Sequence, residues 1–211
     1  DIVALSDPSD QDGDGISGKP NRVWDVQKQA FATGRFGWKA GQPNLLQQTA
    51  AAYNNDMGIT NPLFTKEACF GQEQADTLSD DPEIDLKTLK AATFYPQSLA
   101  VPKRRNWADA DVKRGKELFF SIRCNSCHQA KFITGTHQEF GFLSQQTIYP
   151  YTDLLLHDMG EGLADNRPDF EADGREWKTP TLWGIGLTKT VGNHSHFLHD
   201  GRARNLEEAI M

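Results

Sequence analysis

Two thiols and an imidazole stand together in Cys124-Asn-Ser-Cys127-His128. That spacing has a specific chemical use. Thiols one helical turn apart can add to the two vinyl groups of a haem while the adjacent imidazole takes the iron. On this reading the chain carries one covalent haem c, attached through Cys124 and Cys127, with His128 as axial ligand. Three other chemistries stay open. Zinc would need two further ligands, to be drawn from Cys69, His137 or the group His194, His196 and His199. A redox dithiol would want a strand before the motif and a helix after it, whereas the residues before it read as a helix. A structural disulfide would leave His128 without a role.

A second constellation lies near the start. Asp10-Gln-Asp12-Gly-Asp14-Gly15-Ile16 follows the first seven positions of an EF-hand-type loop, with alternate carboxylates converging on a hard cation. Gly15 would make the sharp turn and the Ile16 carbonyl would add an oxygen. Asn21 occupies position twelve, where a bidentate Glu is usual, and neither flank reads as a helix. The expectation is a calcium loop outside a true EF-hand, and the alternative is an acidic solvated turn.

The elements that must position these residues are legible in outline. Asn44 caps a helix in which Leu45, Leu46, Thr49 and Tyr53 recur at helical spacing. Further helices are predicted over 66–76 and over 82–94, the latter with Asp81 as cap and Pro82 at its first position. Asp109 caps a helix carrying Val112, Gly115, Leu118, Phe119 and Ile122 on one face and running into Cys124. From 129 to 193 the chain is loop-heavy, with a short helix predicted over 151–157, and a last helix starts after Asn205. The run 97–107 lacks periodicity and marks a boundary, in which Lys103-Arg104-Arg105 reads as a solvated linker. Phe36-Gly-Trp38 followed by Asn44-Leu45 is echoed by Phe197-Leu-His199 followed by Asn205-Leu206.

Composition narrows the classes. The 211 residues are 37% hydrophobic and 24% charged, enough for one large or two small globular domains. A net charge of −7 has the wrong sign for a phosphate-backbone binder, so no nucleic-acid partner is expected. A mean hydropathy of −0.61 and the lack of an apolar run near twenty residues exclude a helical membrane span. Three Cys are too few for a disulfide scaffold. The chain opens at Asp1 without a signal-like segment and closes in a helical pattern without a stop, so both ends are expected to be cut.

The residues from Arg105 to Met211 resemble the C-terminal haem domain of the bacterial di-haem cytochrome c peroxidase and MauG-like superfamily. The likeness is to the di-haem oxidoreductases of the "thiol oxidoreductase" group. It is carried by Gly115-Lys-Glu-Leu118-Phe119, the CxxCH, Tyr151-Thr-Asp-Leu-Leu-Leu-His-Asp-Met-Gly160, Trp177-Lys-Thr-Pro-Thr-Leu182-Trp-Gly and Phe197-Leu-His-Asp-Gly-Arg-Ala-Arg-Asn-Leu-Glu-Glu-Ala209. Arg35-Phe-Gly-Trp38-Lys-Ala-Gly-Gln-Pro-Asn-Leu and Asp56-Met-Gly58 resemble the later part of the family's N-terminal haem domain. The family carries two CxxCH motifs and this sequence holds one.

The resemblance implies a mainly α fold: a cytochrome c-like haem domain with long loops over 108–211, a linker over 99–107, and over 1–98 the remnant of a preceding cytochrome c-like domain that bears the calcium loop. It implies a sixth haem ligand at a His beyond Met211; within the chain, Met159 is the thioether candidate, set against packing because the matching position in related peroxidases is apolar, and Met211 is a remote third option. It places Pro180 after a carbonyl that orients His128, Arg202 against a haem propionate, Trp38 between the two haems, and Asp56 as an acid above the peroxidatic haem. The expected function is electron relay to a second haem in a periplasmic, peroxidase-like enzyme, the piece alone being inactive. A small redox protein would be the donor and hydrogen peroxide or another small molecule the substrate. A stand-alone electron carrier and a thiol-disulfide oxidoreductase are the rivals.

Overall fold

The computed structural model describes residues 2–75 and 78–211. They divide into two compact units. The first joins Ile2–Ala100 to Leu154–Lys178, and the second joins Val101–Asp153 to Thr179–Met211. The chain therefore returns to the first unit, for residues that follow the CxxCH motif, before it completes the second. Their charges differ in sign: the first unit has 20 acidic and 11 basic side chains, the second 11 basic and eight acidic.

The first unit opens with an antiparallel hairpin of β1 (Arg22–Asp25) and β2 (Ala30–Thr33). Asp25 makes its turn by accepting the backbone N–H groups of Gln27 and Lys28. Two helices follow, α1 (Leu45–Met57) and α2 (Leu86–Ser98), which pack on each other. The Asn44 side chain caps α1 by accepting from Gln47 N–H, and Gly58 ends it in the left-handed conformation at φ 70°. Later come β5 (Leu156–Asp158) and β6 (Glu176–Lys178), paired antiparallel, with Leu156 also bridged to Lys19. Val23, Ala50, Leu89, Leu155 and Leu156 are buried in this unit. Burial stabilises by about 2 kcal/mol for each large aliphatic side chain among them.

The second unit begins with α3 (Ala110–Ser121), capped by the Asp109 carboxylate on Asp111 N–H. A small ladder of β3 (Phe132–Ile133) and β4 (Thr147–Ile148) and two short helices, α4 (Thr188–Gly192) and α5 (Leu206–Ile210), complete it. No residue of α3 is buried, and of this unit's described apolar side chains only Pro150 and Ala203 are.

The expectation of a mainly α fold, cytochrome c-like domain plus remnant, is overturned. The chain is 30% helix and 14% strand, with five α-helices and three small antiparallel sheets among the described residues, a mixed α/β architecture. Two local misreadings show why. The run over 151–157 is not a helix, because Tyr151 (φ 53°) and Leu154 (φ 62°) are left-handed and Leu156-His157 pairs with Trp177-Lys178. Turns occupy 66–75 where a helix is predicted, and Asp76 lies outside the described residues. The 82–94 helix starts four residues later, at Leu86 with Asp85 as cap. The Thr60 hydroxyl claims both Asp81, by donating to it, and Glu83, whose backbone N–H it accepts.

Candidate functional site

Helix α3 delivers the two cysteines. After its end at Ser121, Arg123 turns left-handed (φ 66°) and the chain tightens into a 3-10 turn over Cys124–Ser126. His128 N–H then donates to the Cys124 carbonyl at 3.0 Å. Both thiols are half-buried and neither is in a disulfide.

The segment 151–153 lies along this turn. Asp153 N–H donates to the Cys127 carbonyl at 2.9 Å and Thr152 N–H to the Gln129 carbonyl at 3.1 Å. Between these bonds, His128 Nδ1 is 2.8 Å from the Tyr151 carbonyl, so Nδ1–H donates and Nε2 keeps its lone pair. Phe119 packs edge-on against Tyr151, centroids 5.5 Å apart at 87°, and lies 6.3 Å from the His128 ring. The carbonyl that orients His128 is thus Tyr151's. The one before Pro180, that of Thr179, accepts the Thr152 hydroxyl at 2.6 Å.

This donor set fits a haem c. It offers two thiols outside any disulfide, an imidazole with one nitrogen fixed and the other a free donor, and apolar side chains (Leu118, Ile122) exposed around the turn. That apolar surface is the kind a flat macrocycle covers.

Met159 follows β5 in the first unit and is 48% exposed; its N–H donates to the Arg175 carbonyl. Met211 is almost fully exposed. Arg202 pairs with Asp200, whose carboxyl is held below its usual value by the Arg202 backbone N–H and guanidinium. The histidine group forms local structure: His194 and His196 stack, and His196 Nδ1 is 3.1 Å from the Gly201 carbonyl.

In the acidic loop, the structure brings carboxylates of Asp7, Asp10 and Asp12 within 4.8 Å of one another. Asp7 was not foreseen, because it stands outside the alternating pattern. Its carboxylate also accepts Gln11 N–H, while Asp10 accepts Gly15 N–H, Asp12 accepts Asp14 N–H, and Asp14 accepts Ile16 N–H. Asn21 is drawn elsewhere. Fully buried, its amide donates to the Lys39 and Asp169 carbonyls and accepts Glu171 N–H.

Trp38 stands at the tip of a small hairpin, its indole 58% exposed and its carbonyl accepting Lys178 N–H at 2.9 Å. Beside it, sequence reasoning missed Lys39. This side chain is 5% exposed, and its Nζ donates to Asp165 Oδ1 (2.7 Å), the Arg167 carbonyl (2.6 Å) and the Asp173 carbonyl (2.8 Å), while lying 4.5 Å from the Trp177 ring centroid. Lys39 holds the Asp165 carboxyl below its usual value, chiefly through that hydrogen bond. A side chain at Gly34 would strike the Ala40 carbonyl, so glycine is required for the hairpin to close. Asp56 is exposed one residue before the end of α1.

The sequence echo is also an echo in structure. Phe36 bridges Gln42 as Phe197 bridges Ala203. Gly37 and Leu198 share a left-handed φ (84° and 66°), as do Ala40 and Gly201 (53° and 72°). Each hairpin leads to an asparagine cap, Asn44 or Asn205, that accepts the N–H three residues on and starts a helix at the next Leu. Each unit therefore holds one copy, with Trp38 and His199 at the same place.

Residues 1–211, the whole chain, match the profile of the family described as "Di-haem oxidoreductase, putative peroxidase". No curated protein and no solved structure matches the chain significantly.

Proposed function

The chain belongs to the di-haem oxidoreductase family, and on that footing we propose that it is the electron-relay portion of a peroxidase-like enzyme, holding one haem c of its own. The observation that supports this most directly is the 2.8 Å contact of His128 Nδ1 with the Tyr151 carbonyl, which leaves Nε2 as a donor nitrogen beside two thiols. Bound there, the haem supplies one-electron redox chemistry. Cys124 and Cys127 would hold it, each by adding S–H across a vinyl C=C bond to form a thioether without an oxidant. Phe119 and Tyr151 keep the imbedded ring in place. Met159 is the thioether to test as sixth ligand, and Arg202, fixed by Asp200, the cation to test against a propionate.

On this reading Trp38 would carry electrons towards the second haem of the family, and Asp56 would hold the proton needed at that centre. Peroxide takes two electrons and two protons, its O–O bond breaks, and two waters leave. The electrons come from a small redox protein, and the setting is the periplasm, where haem is attached covalently. The Asp7, Asp10 and Asp12 carboxylates bind calcium, with Asp14 and Ile16 completing the loop.

The test is a pyridine haemochrome spectrum of the chain produced with a c-type maturation system. A haem c pyridine haemochrome is the expected result, together with a native-state absorption spectrum that His128→Ala shifts and in which Met159→Ala decides the sixth ligand. A colourless protein holding zinc overturns the proposal.

A further inference from the structure

We infer that the exposed face of α3 beside the Cys124 turn is a docking surface for an acidic electron-carrier protein. This rests on reading Cys124, Cys127 and His128 as a haem site, since a donor must dock close to the redox group it serves.

Charge singles the face out. The chain as a whole carries −7, yet its residues 101–131 hold eight basic and three acidic side chains. Their placement concentrates that excess. Lys113, Lys116 and Phe120 follow one another at i, i+3 and i+7, so they form one stripe of α3, and all three are exposed. Val112 and Phe119, which flank the stripe at i−4 and i+3 from Lys116, are half-buried. The Arg104 guanidinium donates to the Val112 carbonyl at 3.2 Å, which folds the basic run of the linker onto the first turn of the same helix.

Of the three acids in this stretch, Asp111 stands exposed in the first turn of α3 and the other two are used. Glu117 pairs with Arg114, and the Asp109 carboxylate caps the helix. Neither Lys113 nor Lys116 has an acidic partner among the described residues. Lys113 lies about 12 Å of helix axis from Ser121, where the turn into Cys124 begins. An exposed aromatic set among unpaired cations is the composition of an association surface that recruits by charge and anchors by ring. An acidic protein fits that pattern, while the acidic remainder of the chain repels an extended polyanion such as duplex DNA.

The experiment uses the haem-loaded chain with two probes, a plant-type [2Fe–2S] ferredoxin, which is acidic, and a mitochondrial cytochrome c, which is basic. Binding is measured by calorimetry at low and high salt, and electron uptake by stopped flow. Ferredoxin should bind better than cytochrome c, with affinity falling about tenfold as salt is raised, and K113E/K116E should lose about tenfold at low salt. A control reversal in the first unit, Lys28→Glu, should leave binding unchanged. Equal binding by K113E/K116E, a preference for cytochrome c, tighter binding of duplex DNA, or self-association that K113E/K116E abolishes would each overturn the inference. A chain that takes up no haem fails the functional reading instead, and its spectrum shows this before any probe is added.

Discussion

The two units solve the same problem, holding loop-rich chain in place, by opposite means. The first buries Val23, Leu89, Leu155 and Leu156 and ties its loops with a buried ammonium, Lys39, that gathers three oxygens from 165–173. The second buries Ala203, Pro150 and the polar Thr152, Asp153 and Thr179 among its described residues but no large aliphatic or aromatic side chain, and nothing in its longest helix, yet carries both thiols and the fixed imidazole. One unit is organised by its own side chains. The other has the donors for a prosthetic group whose apolar faces would serve as its packing partner.

The largest expected effect separates them most sharply. Cys124→Ala with Cys127→Ala should leave the second unit without an attached haem, so limited proteolysis should cut within 101–153 or 179–211 while Ile2–Ala100 survives. Equal resistance of both units, with and without the substitutions, would erase the comparison.

Next comes Lys39→Met, which strands the Arg167 and Asp173 carbonyls and the Asp165 carboxylate. It should cost about 3 kcal/mol in urea unfolding of the first unit and leave the haem spectrum unchanged. The same pair has a pH signature. Because the folded Asp165 carboxyl lies below its unfolded value of 3.8, its stabilisation is present above that value and is lost as pH falls through the folded one. Acid unfolding of the parent should therefore steepen below about pH 4, and Lys39→Met should flatten it.

The smallest effect uses the repeated cap. Asn44→Ala and Asn205→Ala remove the same hydrogen bond from the two copies, each worth about 1 kcal/mol. In α1, which is packed on α2, that loss should appear in global unfolding. In the five-residue α5 it should appear as local fraying by hydrogen exchange.

What could be read from the sequence follows the range of each interaction. The caps at Asn44, Asp109 and Asn205 act within three residues, so they were legible, as was the CxxCH. Tyr151 was not, because its contribution is a backbone carbonyl 23 residues from His128 and every residue type has one. Lys39 carried no signal of its own, because its partners Asp165, Arg167 and Asp173 lie more than 120 residues downstream. The mainly α expectation failed because two- and three-residue strands such as β3 and β5 are too short to show alternation, and because left-handed Tyr151 and Leu154 interrupt a run whose apolar character suits a helix.

The central claim is that Cys124 and Cys127 hold a haem covalently, and the intact mass of the denatured, matured chain tests it most directly. The account predicts the polypeptide mass plus one haem, with the added mass on the peptide containing Cys124–His128 and no iodoacetamide labelling of those two thiols. The bare polypeptide mass, with both thiols labelled, would contradict it.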